Sequence, residues 1–279
     1  MKIFVFGYGK VGKAITALAV KKKYEIYVVS RRKLKEKNVI FLTLKQAIDF
    51  KETKNFFLIS TVPPDCNQKD FILDNLNDEK LKSFKKIIYI SSTSVYPKGD
   101  VDEKTKISKT NKKGRIRFDI EKKWKKVSER LIIIRAGGIY SNSSNIMQNF
   151  LDGNQKIIVK ENHFTNRIHM DDLIGIIFKA LKSNFSNGII NAVDGSFYNT
   201  YNLMKTITKK FELPVPKKIN YENKTIPSSL KSFFEVSKKV KSVVVKEQLN
   251  YKFKYPDFKE SLTNITINLI KHRKNKIHE

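Results

Sequence analysis

Cysteine is almost absent: Cys66 is the only one in 279 residues. A lone cysteine closes no internal disulfide, and a chain this long buries a sizeable core without a staple. A reducing compartment fits, so a cytoplasmic location is the expectation. Long apolar runs are missing too. No window approaches the roughly 18 residues of a membrane helix, and the apolar stretch within residues 1–12 is too short for a secretory signal. No two histidines stand at a metal-ligand spacing and no Cys/His pair is present, so a metal site is not expected. Internal repeats and low-complexity linkers are absent as well. Acidic residues are scarce, 27 Asp+Glu against 56 Lys+Arg, for a net charge of +29. Such an excess raises nucleic acid as a partner. Lysine, however, supplies 48 of the 56 cations and is spread over the whole chain rather than gathered into a stripe. That distribution reads as lysine serving as the default solvated residue. Neither nucleic acid nor membrane is expected as a partner, while the charge favours anionic ligands.

Against these absences stands a strong alternation of elements. Residues 2–6 (KIFVF) form an apolar run fit for a buried parallel strand, followed by a glycine turn and a helical pattern over 11–18. Further strands are expected at 24–29, 39–42, 56–60, 87–90 and 131–135. Helices are expected at 44–50, 71–84 and 115–126, with a polar surface loop over 97–113. Beyond residue 140 the alternation loosens. A late strand is read near 188–194, a helix over 201–211 ending before Pro214 and Pro216, and a frayed basic tail from Lys271. Alternating strands and helices imply a parallel sheet. The expected architecture is α/β: a doubly wound domain over 1–140 that includes the late strand, and a mixed C-terminal region, 141–279, capping a substrate cleft.

Gly7-Tyr8-Gly9-Lys10-Val11-Gly12 is a G-x-G-x-x-G that leaves the first strand and opens a helix. That context marks a Rossmann-type dinucleotide loop. Gly7 permits the tight turn, Gly9 lets backbone approach a pyrophosphate, and Gly12 allows close helix–sheet packing. Free N–H groups at the helix start add positive potential. A glycine turn without ligand is the competing reading. The second strand ends in Val29-Ser30-Arg31-Arg32, without the acidic residue that accepts an NAD ribose hydroxyl. Two guanidinium groups suit the 2′-phosphate of NADP, so NADP is expected ahead of NAD. The alternative is two solvated arginines.

Ile90-Ser91-Ser92-Thr93-Ser94-Val95-Tyr96, Asn166-Arg167-Ile168-His169-Met170-Asp171-Asp172-Leu173 and Asn191-Ala192-Val193-Asp194 follow in order. With Ser237-Lys238-Lys239-Val240 and Tyr255-Pro256-Asp257-Phe258, this series resembles the extended short-chain dehydrogenase/reductases of the epimerase/dehydratase type. The resemblance covers most of the chain. It implies NAD(P)-dependent chemistry on a small polar, sugar-like or anionic substrate, and a homodimer. It places Ser91 beside the cofactor and Ser92 at the substrate oxygen. Where the family carries Tyr and, four residues later, Lys, this chain has Arg117 and Glu121. The segment from Gly114 through Arg117 and Glu121 to Trp124 is similar to atypical members that lack that pair. An arginine donates no proton at neutral pH, so Tyr96, Tyr140 and His169 are the remaining acid/base candidates. Asp171 and Asp172 are read as caps of a helix starting at Leu173. Arg117, Arg135 and Arg167 either converge on an anionic substrate or pair internally with Glu121 and Asp171. Two functions remain open: an oxidoreductase or epimerase-like enzyme with an unusual acid/base group, or a non-catalytic or redox-sensing NADP-binding protein.

Overall fold

Apolar strands separated by amphipathic helices bury both faces of one sheet. The computed structural model describes residues 1–277 other than Lys33, Cys66 and Lys109, so the single cysteine lies outside the described residues. The chain opens with β1 (Lys2–Phe6), α1 (Lys10–Lys21), β2 (Glu25–Val29), β3 (Ile40–Leu42), α2 (Leu44–Asp49) and β4 (Phe56–Ser60). It continues through α3 (Asp78–Ser83), β5 (Lys86–Ser92), β6 (Gly99–Val101), α4 (Lys112–Val127), β7 (Leu131–Ala136) and β8 (Gly138–Tyr140). Next come α5 (Ile146–Leu151), β9 (Lys156–Val159), β10 (Arg167–His169), α6 (Met170–Lys182), β11 (Gly188–Ala192) and α7 (Thr200–Lys210). The last elements are β12 (Lys217–Asn220), α8 (Ser228–Lys231), β13 (Lys238–Val240), α9 (Val243–Glu247) and α10 (Phe258–Ile277).

Seven strands form one parallel sheet in the order β11-β7-β5-β4-β1-β2-β3. This is the Rossmann-type, doubly wound arrangement expected from the alternation. Every residue of β4 and β7 is buried, as a strand covered on both faces requires. On one face Ile3, Val5, Ile59, Ile88 and Ile134 pack with Ile15 of α1 and with α6, which is buried along much of its length. On the other, Phe4, Phe6, Leu58, Tyr89 and Ile133 pack with Leu81 of α3 and with Ile120 and Trp124 of α4. A separate core, with Met147, Phe150, Met204, Phe258 and Leu262, joins α5, α7 and α10 beyond the carboxyl ends of the strands. No helix among the described residues is long and apolar enough to cross a membrane.

Four local expectations need correction. The helix expected over 71–84 is a turn followed by the short α3. Asp70 accepts from the N–H groups of Ile72 and Leu73, and Asn77 restarts the helix by accepting from Lys80. Two such side-chain caps so close together interrupt a continuous helix. The loop expected over 97–113 contains β6, which pairs with the remote β13, and it gives way to α4 at Lys112, capped by Asn111. Helix α6 starts at Met170, because the His169 ring accepts from the Asp171 N–H; Asp171 and Asp172 lie inside the first turn. The tail from Lys271 continues α10, and Arg273 donates to the Leu151 carbonyl and pairs with Asp152.

Lys86 ties the sheet to α6. Its buried Nζ donates to the carbonyls of Ala180 (2.9 Å), Ser183 (2.9 Å) and Phe185 (3.0 Å) at the helix end. Hydrogen bonds from a charged donor are the stronger kind, and the helix dipole adds to them. Lys86→Met is therefore expected to lower unfolding free energy by about 2 kcal/mol in urea titrations; no loss would show the contact to be idle.

Candidate active site

The strand order reverses between β1 and β4, and their carboxyl ends frame the glycine turn. Gly7 has φ +96°, the left-handed region where a side chain is strained, and its N–H donates to the Val29 carbonyl at 3.1 Å. A Cβ on Gly12 would meet the Gly7 carbonyl oxygen at 2.0 Å, so helix and turn touch backbone to backbone. A Cβ on Gly9 would meet nothing within 4 Å. The three glycines therefore do three different jobs, and only Gly9 borders open space. The first helical hydrogen bond runs from Lys13 N–H to the Gly9 carbonyl. The N–H groups of Lys10, Val11 and Gly12 thus have no acceptor within the helix. Gly9 is the N-cap, without a side-chain bond, and no acidic residue occupies the first turn.

Thr61, a residue not anticipated, buttresses this turn. Its hydroxyl donates toward the Phe6 (3.0 Å) and Gly7 (3.2 Å) carbonyls. Tyr8 packs edge-on against Phe41, with ring centroids 5.2 Å apart, and its hydroxyl donates to Glu36. Partial burial, reinforced by the Glu36 carboxylate, pushes the Tyr8 phenol up to about 12. Glu36 lies seven residues past β2, and only the folded loop brings it back to Tyr8. Arg31 and Arg32 are exposed at the end of β2, and among the described residues their guanidinium groups have no partner. Lys10 reaches across to Ser144, Nζ to Oγ 2.8 Å, in the loop after β8.

The second half of the site lies where α4 packs on β5 and β7. Glu121 is completely buried and forms an ion pair with Arg135, 2.6 Å from Oε2 to Nη2. Arg135 Nε adds a contact at 3.1 Å, and the Ser91 hydroxyl donates to Oε1 at 2.6 Å. The Arg135 guanidinium also sits 4.7 Å from the centroid of the Tyr96 ring. Ser91 thus spends its hydroxyl on Glu121. Ser92 is half-buried, and its Oγ accepts from the Ser94 N–H at 3.1 Å. Arg117, one turn before Glu121, is half-exposed and makes no hydrogen bond among the described residues.

The three aromatic candidates do not come together at an open surface. Tyr96 is fully buried; its hydroxyl donates to Asn191 at 2.9 Å, and burial raises its pKa. Tyr140 is buried beside Phe258, ring centroids 4.7 Å apart, and its pKa is also raised by burial. His169 is buried, stacked 3.6 Å from Tyr255, with Nε2 3.3 Å from Asn142 Oδ1 and Nδ1 capping α6. Burial lowers its pKa, which favours the neutral ring. Asp172 ties this strand–helix junction to the C-terminal segment, accepting from the Tyr251 hydroxyl and the N–H groups of Lys254 and Tyr255.

No protein-family model and no curated protein sequence matches the chain. Solved structures do. A conserved protein of unknown function from Silicibacter pomeroyi superposes with a TM-score of 0.85 at 21% identity, over 96% of this chain and 98% of that one. The human epimerase family protein solved with NADPH gives 0.74 at 16% identity, over 96% and 100%. A dTDP-glucose 4,6-dehydratase from Bacillus anthracis, in complex with NAD, gives 0.73 at 12% identity, over 98% of both chains. The fold of these structures is shared over nearly the whole chain.

The Glu121–Arg135 pair yields a direct test. Removing one partner of a buried ion pair strands the other, at a cost of about 3–5 kcal/mol. Glu121→Gln should lose stability on that scale in chemical denaturation. A loss under about 1 kcal/mol would mean that Arg135 finds water or another acceptor.

Proposed function

We propose that the chain is an NADP-dependent oxidoreductase or epimerase-like enzyme of the epimerase/dehydratase type, acting on a small polar substrate. The observation that carries this reading is the glycine turn, with its unsatisfied N–H groups and open space at Gly9. The residues fit the cofactor. The N–H groups of Lys10, Val11 and Gly12 would hold the pyrophosphate, with the positive end of α1 behind them. Arg31 and Arg32, without a partner among the described residues, would take the 2′-phosphate. Glu36, which accepts from the Tyr8 hydroxyl, is a carboxylate that would favour a ribose hydroxyl instead. Two guanidinium groups without a partner among the described residues outweigh one carboxylate already engaged by a phenol.

A bound nicotinamide supplies or accepts a hydride at the substrate carbon. The chain's own part would be to hold the substrate oxygen. Ser92, at the carboxyl end of β5, would donate to that oxygen. Arg117, the unpaired cation on α4, would stabilise developing negative charge there, and the proton would come from solvent. Tyr96 and His169 serve packing and capping in this scheme, since their polar atoms already have partners. Within residues 141–279, α5, α7 and α10, which share a core apart from the sheet-packed α6 and α9, would form the lobe that covers the substrate.

A second reading is favoured by Glu121. In place of a cation free to hold the nicotinamide ribose stands a carboxylate locked to Arg135. A protein that binds NADP without turning it over would look the same.

Binding titrations decide between the cofactors. NADPH should bind more tightly than NADH, and Arg31→Ser with Arg32→Ser should weaken NADPH by about tenfold to a hundredfold while leaving NADH unchanged. Equal affinities would remove the arginine assignment. Gly9→Asp should keep the fold, since Asp is a good N-cap, yet abolish dinucleotide binding. Tight NADPH binding without oxidation across a panel of carbonyl compounds would favour the non-catalytic reading.

A further inference from the structure

The structure separates the three arginines. Arg135 is spent on Glu121, and Arg117 stands on α4. Arg167, on β10, is placed differently. Its strand pairs with β8, and its guanidinium lies over the bare backbone of exposed Gly138, where a Cβ would meet Nη1 at 2.8 Å. The same guanidinium is 5.4 Å from the centroid of the Phe258 ring. Its Nε is shut off from solvent and has no hydrogen-bond partner among the described residues.

Two other groups nearby share that condition. Asp194 follows β11 and is 6% exposed. One carboxylate oxygen accepts from the N–H and hydroxyl of Ser196, both at 2.9 Å, whereas Oδ2 is buried without a partner. The Tyr140 hydroxyl lies beside Ser261 and makes no well-formed hydrogen bond. Phe258 joins the three: its ring touches both Tyr140 and Arg167, and its N–H donates to the Ser196 hydroxyl that holds Asp194. The Asp194 N–H also donates to the Arg167 carbonyl at 2.8 Å. Buried polar atoms are nearly always satisfied, so three orphans in one place point to an absent acceptor or donor.

We propose that Arg167, Tyr140 and Asp194 form a subsite for an oxyanion of the substrate, a carboxylate or a phosphate, above the ends of β7 and β11. This rests on the reading of the cleft as a substrate site. Arg167 supplies the cation, Tyr140 an O–H donor, and Asp194 a second O–H donor when protonated. Burial raises the Asp194 pKa to about 7, so both forms exist near neutrality. The groups facing Asp194 are Arg167 from β10, Tyr140 from β8 and, from the turn before α10, Asp257, whose carboxylate accepts from the Tyr198 hydroxyl at 2.6 Å. Asp257 opposes ionisation of Asp194 and Arg167 favours it. As pH rises through 7, Asp194 becomes an anion, repels the ligand and competes for Arg167.

Oxalate and sulfate are suitable probes, one for each source of the oxyanion, since neither changes charge between pH 6 and pH 8. Each is titrated calorimetrically with the glycine loop saturated by NADPH, and again without it. Oxalate or sulfate should bind the wild-type protein. Affinity should fall about tenfold from pH 6 to pH 8, and Arg167→Gln should lose about tenfold to a hundredfold. Asp194→Asn, nearly isosteric, should bind with no pH dependence over that range. A preference for oxalate assigns a carboxylate substrate; a preference for sulfate assigns a phosphate. The proposal is overturned if neither probe binds, if Arg167→Gln binds as well as wild type, or if Asp194→Asn keeps the pH slope. Failure of the wild type to bind NADPH would instead remove the cofactor reading, and the difference between wild type and variants without NADPH would still decide the subsite.

Discussion

Everything in the N-terminal half depends on one contact between backbones. The Gly7 carbonyl and the Gly12 Cα lie so close that no side chain fits between them. That contact fixes the start of α1 directly above the end of β1. It leaves three N–H groups pointing away from the helix and puts Gly9 at the rim of open space. Thr61, from the neighbouring strand end, locks the turn from below. Helix position and anion-binding potential follow from the same few atoms.

A second constraint shapes the other end of the cleft. Arg135 and Glu121 form a pair that is dry on all sides, with Ser91 as the third member. In the resemblance that the sequence carries, the Glu121 position belongs to a cation. The structure shows a carboxylate at that position paired with a buried guanidinium. Arg135 supplies the positive charge from β7, and Glu121 turns inward to meet it. Whatever chemistry the cleft performs must therefore proceed without a free lysine at this point. Arg117, left unpaired one turn earlier, is the cation that remains on that helix face.

Much of this was legible in the sequence because it is periodic or local. The apolar runs at 2–6, 56–60 and 131–135 read as buried strands and are buried strands. The glycine spacing marked the turn before any coordinate was known. What stayed hidden depends on long separations. β6 pairs with β13 across more than a hundred residues, and no local pattern announces either. Glu36 returns to Tyr8 through a loop without periodicity. His169 looked like a titrating group because histidine has the right intrinsic pKa. Its stacking on Tyr255 and its cap on α6 are tertiary facts. The orphaned Asp194 could not be singled out either, since an aspartate at the end of a strand usually signals a turn.

The open space at Gly9 would hold the diphosphate if the proposed cofactor site is right. A crystal structure with NADPH tests it most directly. The pyrophosphate should lie against Gly9, hydrogen-bonded to N–H groups of the first turn of α1, with the nicotinamide end toward Ser92. A nucleotide bound elsewhere, or a turn closed over by Tyr8 and the Lys10–Ser144 contact with no room for phosphate, would contradict it.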